Sequence, residues 1–151
     1  MKTVVMCIGN TLNGGDDAIG PYLAKLLIKE KIPNYIVLDC GTAPENFTSI
    51  VQKEKPDRVI IIDAMEMNLE KGSLRVIPAD KIGTAHISTH GIPLSILASY
   101  LKNYTKEILF IGIQPEKIHG EKISKSVKET AKKLVNILKE EKLGEIEVYY
   151  R

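Results

Sequence analysis

The chain has 151 residues, of which 44% are hydrophobic and 26% charged, and its 21 basic and 19 acidic side chains leave a formal charge of only +2. These totals suit a single soluble domain over 1–151 with a sizeable core, and they argue against a phosphate-tracking surface, so no nucleic acid is expected as a partner. No apolar run approaches the roughly 20 residues that span a bilayer, and the N-terminal run is too short for a signal peptide core, so the expectation is a cytoplasmic protein without membrane insertion.

Residues 3–8 read as a buried strand, followed by the glycine-rich loop GNTLNGGDDAIG. Leu23, Leu26 and Leu27 then repeat at helical spacing with Lys25, Lys29 and Glu30 on the other side, and Pro21 fits the first turn of that helix. Pro33-Asn34 separates it from a second strand at 35–40. Gly41-Thr42-Ala43-Pro44 opens another helix, with Phe47, Ile50 and Val51 as its buried stripe, and Pro56 ends it before a third strand at 58–64. The interval from Ala64 to Leu74 is too short for a crossover helix, so 74–78 is expected to return antiparallel through the Lys71-Gly72-Ser73 turn. A long connection at 79–92 shows little periodicity and carries His86 and His90. A helix at 93–100, a strand at 107–113 and a long helix from about 124 to 141 follow, the last with Val127, Ala131, Leu134, Val135 and Leu138 on one face. Ile146, Val148 and Tyr150 alternate in the tail and allow a short edge strand. The alternation of strands and helices predicts an α/β fold of three layers, α/β/α, around a twisted, mostly parallel mixed sheet of about five strands.

The apolar runs end in loops that hold Asp16 and Asp17, Asp39, Asp63, and Gln114. In open α/β sheets ligands bind beyond the carboxyl ends of the strands, so these residues point to one shared site. A carboxylate after the first strand, Asp63 after the third, and His90 from the long loop would offer two oxygens and one nitrogen to a divalent metal, with positions left open. Taken singly, Asp16 and Asp17 read more readily as helix caps, Asp63 as a turn cap, and His90 as bonded to backbone, and it is their convergence on one sheet edge that reverses that preference. Cys7 and Cys40 lack a C-x-x-C partner and read as small core residues in a reducing compartment. A nucleotide-binding module is the rival reading of the glycine-rich loop. Glycines at 9, 14, 15 and 20 do not form G-x-G-x-x-G, and adjacent acids would sit where a pyrophosphate belongs.

Five ordered segments, GNTLNGGDDAIGP, LDCGTAPEN, IIIDAMEMN, STHGIPLSIL and FIGIQPE, together resemble the hydrogenase maturation endopeptidase family, in particular its hydrogenase 3 (formate hydrogenlyase) branch. The resemblance implies an endopeptidase that removes the C-terminal extension of a nickel–iron hydrogenase large-subunit precursor after nickel insertion. It implies Asp17, Asp63 and His90 as the catalytic, metal-contacting positions, Asp17 because it directly precedes Ala18-Ile19-Gly20. The nickel would come with the precursor, and no permanently bound cofactor is expected. Asp16 is then expected to cap the first helix, and Asp39 to be a polar contact rather than a ligand. The family's likeness to aspartic peptidases is not matched by a D-T-G or D-S-G motif here, so aspartic-type and metal-assisted hydrolysis both remain open, and a noncatalytic nickel-dependent assembly chaperone is the alternative function.

Overall fold

The computed structural model describes residues 1–82, 86–87 and 93–150. Its strands are β1 (Thr3–Ile8), β2 (Tyr35–Gly41), β3 (Arg58–Glu66), β4 (Leu74–Ile77), β5 (His86–Ile87) and β6 (Glu107–Ile113), and its α-helices are α1 (Ile19–Glu30), α2 (Thr48–Glu54), α3 (Leu94–Leu101) and α4 (Lys125–Lys139). The main ladder runs β2-β1-β3-β6-β4, parallel except for β4, which pairs antiparallel with β6. The two-residue β5 pairs antiparallel with the end of β3, Met65 opposite Ile87 and Glu66 opposite His86.

Strand periodicity explains the two cores. Val4, Met6, Ile8, Val59, Ile61 and Phe110 face one side and meet Val51 of α2 and Leu94, Leu97 and Leu101 of α3. Val5, Cys7, Ile60, Ile62 and Ile111 face the other and meet Leu23 and Leu27 of α1 and Val127, Ala131, Leu134 and Leu138 of α4. Covering both faces is why β1 and β3 read as continuous apolar runs instead of alternating ones. Each fully buried aliphatic side chain contributes on the order of 1.5–3 kcal/mol, which is enough for such paired layers to hold short helices like α2.

Three features depart from the sequence reading. β4 is antiparallel as expected, but β6, and not β3, lies beside it, because the last strand in chain order is inserted between the two. The tail forms one parallel bridge, Val76 to Val148, instead of an edge strand. Its hydrogen bonds run from Val76 N to Glu147 O at 2.9 Å and from Tyr149 N to Val76 O at 2.8 Å, and Tyr149, not Tyr150, is the buried tyrosine. The expected second helix begins as a 3-10 turn, Pro44–Phe47, before α2 proper.

The sheet edge at the start of the strands is closed by a polar network. The buried Arg58 donates to Thr3 Oγ1 at 3.2 Å, Tyr35 Oη at 3.0 Å and Glu141 Oε2 at 3.2 Å, joining β1, β2 and β3 to the chain just past α4. No helix among the described residues is long and apolar enough to cross a membrane.

Candidate functional site

The opposite edge, where β1, β2, β3 and β6 end, gathers the loops expected to carry chemistry. Backbone bonds stitch them together: Gly9 N to Gly41 O at 2.9 Å joins the loops after β1 and β2, and Asp16 N to Lys117 O at 2.7 Å and Asp17 N to Ile118 O at 3.1 Å join the loop after β1 to that after β6. Within the first loop, Asn10 Oδ1 accepts from Leu12 N at 2.9 Å, and Asp16–Ala18 forms a 3-10 turn leading into α1. Gly20 lets that helix start directly against β1, since a Cβ there would run into the backbone of Ile8.

Asp16 and Asp17 have different environments. Asp16 is fully buried, and its carboxylate accepts from Glu116 N at 2.7 Å, Lys117 N at 2.9 Å, Ser124 N at 2.7 Å and Ser124 Oγ at 2.9 Å. Ser124 is the residue that precedes α4. Asp16 is therefore the anion at the positive end of α4, which corrects the expectation that it caps the first helix: α1 has no side-chain cap. Residues a hundred positions apart share this charge, and local spacing carries no signal for it. Asp17 is 3% exposed on the next position of the same turn, and the turn packs beside β3.

Asp63 is fully buried near the end of β3, opposite Gly112 of β6, with Oδ1 accepting from Ala64 N at 2.8 Å. Strand alternation puts it on the sheet face shared by Ile61 and Met65. His90 lies outside the described residues, as does the side chain of His86. Among the described residues, no three His, Cys, Asp or Glu side chains are grouped where they could hold a metal ion.

The other strand-end residues separate into two roles. Asp39 is exposed, and its Oδ1 accepts from Gly41 N at 3.3 Å. It lines a cleft of about 390 Å³ with Gly9, Asn10, Leu12, Cys40 and Thr42. This cleft forms where β2 bulges, since Cys7 pairs with Asp39 but Ile8 with Gly41. Gln114, by contrast, is buried and fully engaged in structural bonds, so it does not join the acids as a shared-site residue.

The cysteines are core residues. Burial, with the Coulomb effects of Cys40 and Asp39 added, holds the Cys7 thiol well above its usual range, and burial pushes Cys40 up to about 12. A thiol in that state is a poor nucleophile near neutrality. The nucleotide-binding reading also loses ground, because the turn leading into α1, where a pyrophosphate would sit, carries the buried carboxylates of Asp16 and Asp17.

The fold and its strand-end acids thus define a three-layer α/β/α domain whose functional edge carries buried carboxylates and no activated thiol among the described residues. The family model for hydrogenase maturation proteases matches residues 20–141. The Escherichia coli K12 hydrogenase 3 maturation protease is 38% identical over 117 residues, covering 77% of this chain and 74% of its own. The solution structure of the endopeptidase HycI from Escherichia coli superposes with a TM-score of 0.90 at 32% identity, covering 99% of this chain and 97% of that one. A [NiFe] hydrogenase maturation protease HycI from Thermococcus kodakarensis gives a TM-score of 0.81 at 36% identity, covering 92% and 90%. The chain belongs to the hydrogenase maturation protease family, and it is a peptidase. Asp63 and His90 fall inside the stretch matched by the family model, whereas Asp17 lies three residues before it.

Proposed function

We propose that this peptidase removes the C-terminal extension of a nickel–iron hydrogenase large-subunit precursor after nickel insertion, and that Asp17, Asp63 and His90 contact the nickel that the precursor carries. The observation that carries the reading is that two buried acids lie toward one edge of the sheet: Asp63 stands three residues before the end of β3, and the turn bearing Asp17 packs beside that strand. Two carboxylates and one imidazole would leave positions open on the ion, so the substrate would supply both the ion and its remaining ligands. The protein then needs no resident cofactor, and nickel occupancy becomes the condition for cutting. Nickel can polarise the scissile carbonyl, while a carboxylate can take a proton from attacking water. Membership in a peptidase family favours cutting over mere holding as an assembly chaperone. We place the reaction in the cytoplasm, a reducing compartment in which the thiols of Cys7 and Cys40 stay free.

Incubation with nickel-loaded and nickel-free precursor, followed by mass analysis, tests the proposal. The loaded form alone is expected to lose its extension. Equal cutting of both forms would remove nickel recognition from the account, and stable binding without a mass change would mark a holding protein.

A further inference from the structure

The end of β3 is fastened by one side chain. Gln114, just past β6 and 3% exposed, accepts on Oε1 from Met67 N at 2.7 Å and from Leu69 N at 3.3 Å. Its Nε2 donates to Glu66 Oε2 at 2.8 Å and to Pro115 O at 3.3 Å. The two backbone donors fix the amide orientation, since only its oxygen can accept from them. Its main chain is locked as well, with Gln114 N donating to Ser73 O at 2.8 Å and Gly72 N to Gln114 O at 2.9 Å. Glu66 Oε2 accepts in addition from Asn68 N at 2.8 Å, so the turn after β3 closes on the Gln114–Glu66 pair.

What this clamp holds matters more than its contribution to stability. Asp63 lies three residues before Glu66 on the same strand. Met65 and Glu66 carry β5 as their antiparallel partner, and the chain leaving β5 reaches His90 three residues later. We infer that Gln114 is a positioning residue for the peptidase reaction: its amide holds the Glu66–Leu69 backbone and so sets where Asp63 and β5 stand relative to the Asp17 turn. Neither an aliphatic side chain nor a carboxylate could replace it, because the clamp needs an acceptor toward Met67 and a donor toward Glu66 from one planar group. The inference rests on the proposed role of Asp63 and His90.

The test exchanges donor and acceptor. Gln114→Glu keeps the acceptor for Met67 N but sets two carboxylates against each other at position 66. The double variant Gln114→Glu/Glu66→Gln restores a donor–acceptor pair with its direction reversed and gives up the bond from Asn68 N, because one oxygen of Glu66 accepts from both Gln114 Nε2 and Asn68 N. With nickel-loaded precursor, Gln114→Glu is expected to lower kcat about 10- to 100-fold with KM little changed, because small misplacements of reacting groups cost that much. The double variant is expected to recover kcat to within about threefold of the unaltered protein, a margin below 1 kcal/mol. Recovery of thermal stability without recovery of kcat would make Gln114 a fastener only and overturn the inference. So would a Gln114→Glu enzyme whose folded fraction cuts normally. Should Gln114→Glu fail to fold, the double variant decides alone: normal kcat supports the inference, and reduced kcat in a folded double variant overturns it. Failure of the proposed function is seen separately, as failure of the unaltered protein to process the same precursor.

Discussion

In the turn before α1, Asp16 meets three backbone N–H groups and one hydroxyl with a carboxylate that water does not reach. Asparagine can present only one oxygen, so its NH2 would face at least one donor. Asp16→Asn is therefore expected to cost about 2–5 kcal/mol, since hydrogen bonds to charged groups are strong and a buried donor left unmatched is costly. For a chain of this size that is a fall in Tm of about 5–15 °C, read by thermal unfolding. Asp17→Asn is expected to leave Tm within about 3 °C of the unaltered protein and to abolish nickel-dependent processing, because a neutral amide is a poor ligand for a cation. A stable Asp16→Asn enzyme without activity, beside an Asp17→Asn enzyme that works, would reverse the assignment. The acids themselves were legible from their place after an apolar run, but the partners of Asp16 were not. Spacing reveals neighbours along a helix or strand, whereas Asp16 is satisfied by residues 100 and 108 positions away.

The strands show the same boundary between local and distant information. β1, β3 and β6 were readable because burial on both faces demands unbroken apolar runs, and α4 because its apolar residues recur at helical spacing. The direction of β4 followed from a connection too short for a crossover. Its neighbour did not, since the pairing of β4 with β6 depends on a strand that comes some thirty residues later. Gly112 marks how closely β3 and β6 are fitted: a Cβ added there would lie 3.0 Å from Met65 Sδ and 3.1 Å from Met65 Cβ. Gly112→Ala is expected to destabilise the protein by about 1–3 kcal/mol through overpacking. Combining it with Met65→Ala should cost less than the sum of the two single changes, because the second removes Met65 Sδ and Cγ, two of the three atoms that crowd the added Cβ. Additive effects in denaturant unfolding would show that Met65 does not take up the strain.

Across the whole molecule, buried protons set an alkaline limit. Below pH 9 the Cys40 thiol is protonated in both folded and unfolded chains and stability does not depend on it. Between 9 and about 12 the unfolded chain releases that proton while the folded chain keeps it, so stability falls with rising pH until the folded value is passed. Tyr35, raised from 10.0 to about 12 chiefly by burial, acts in the same direction from pH 10 upward. Denaturation midpoints measured from pH 8 to 11 should therefore decline, and Cys40→Ala should flatten the decline. An unchanged slope in that variant would exclude Cys40 as its source. The layered α/β/α plan was legible at this scale because alternating strand and helix patterns admit few arrangements. The cleft beside Asp39 was not, because a bulge in β2 makes it. The charge shared between Asp16 and Ser124 also orders events in time. A chain leaves the ribosome from its N-terminus, so the acidic turn is made early and its counterpart very late. Until the stretch before α4 emerges, the Asp16 carboxylate lacks the full set of donors that satisfies it in the folded chain. Residues up to Ser124 must therefore be made before this buried charge has its full set of partners.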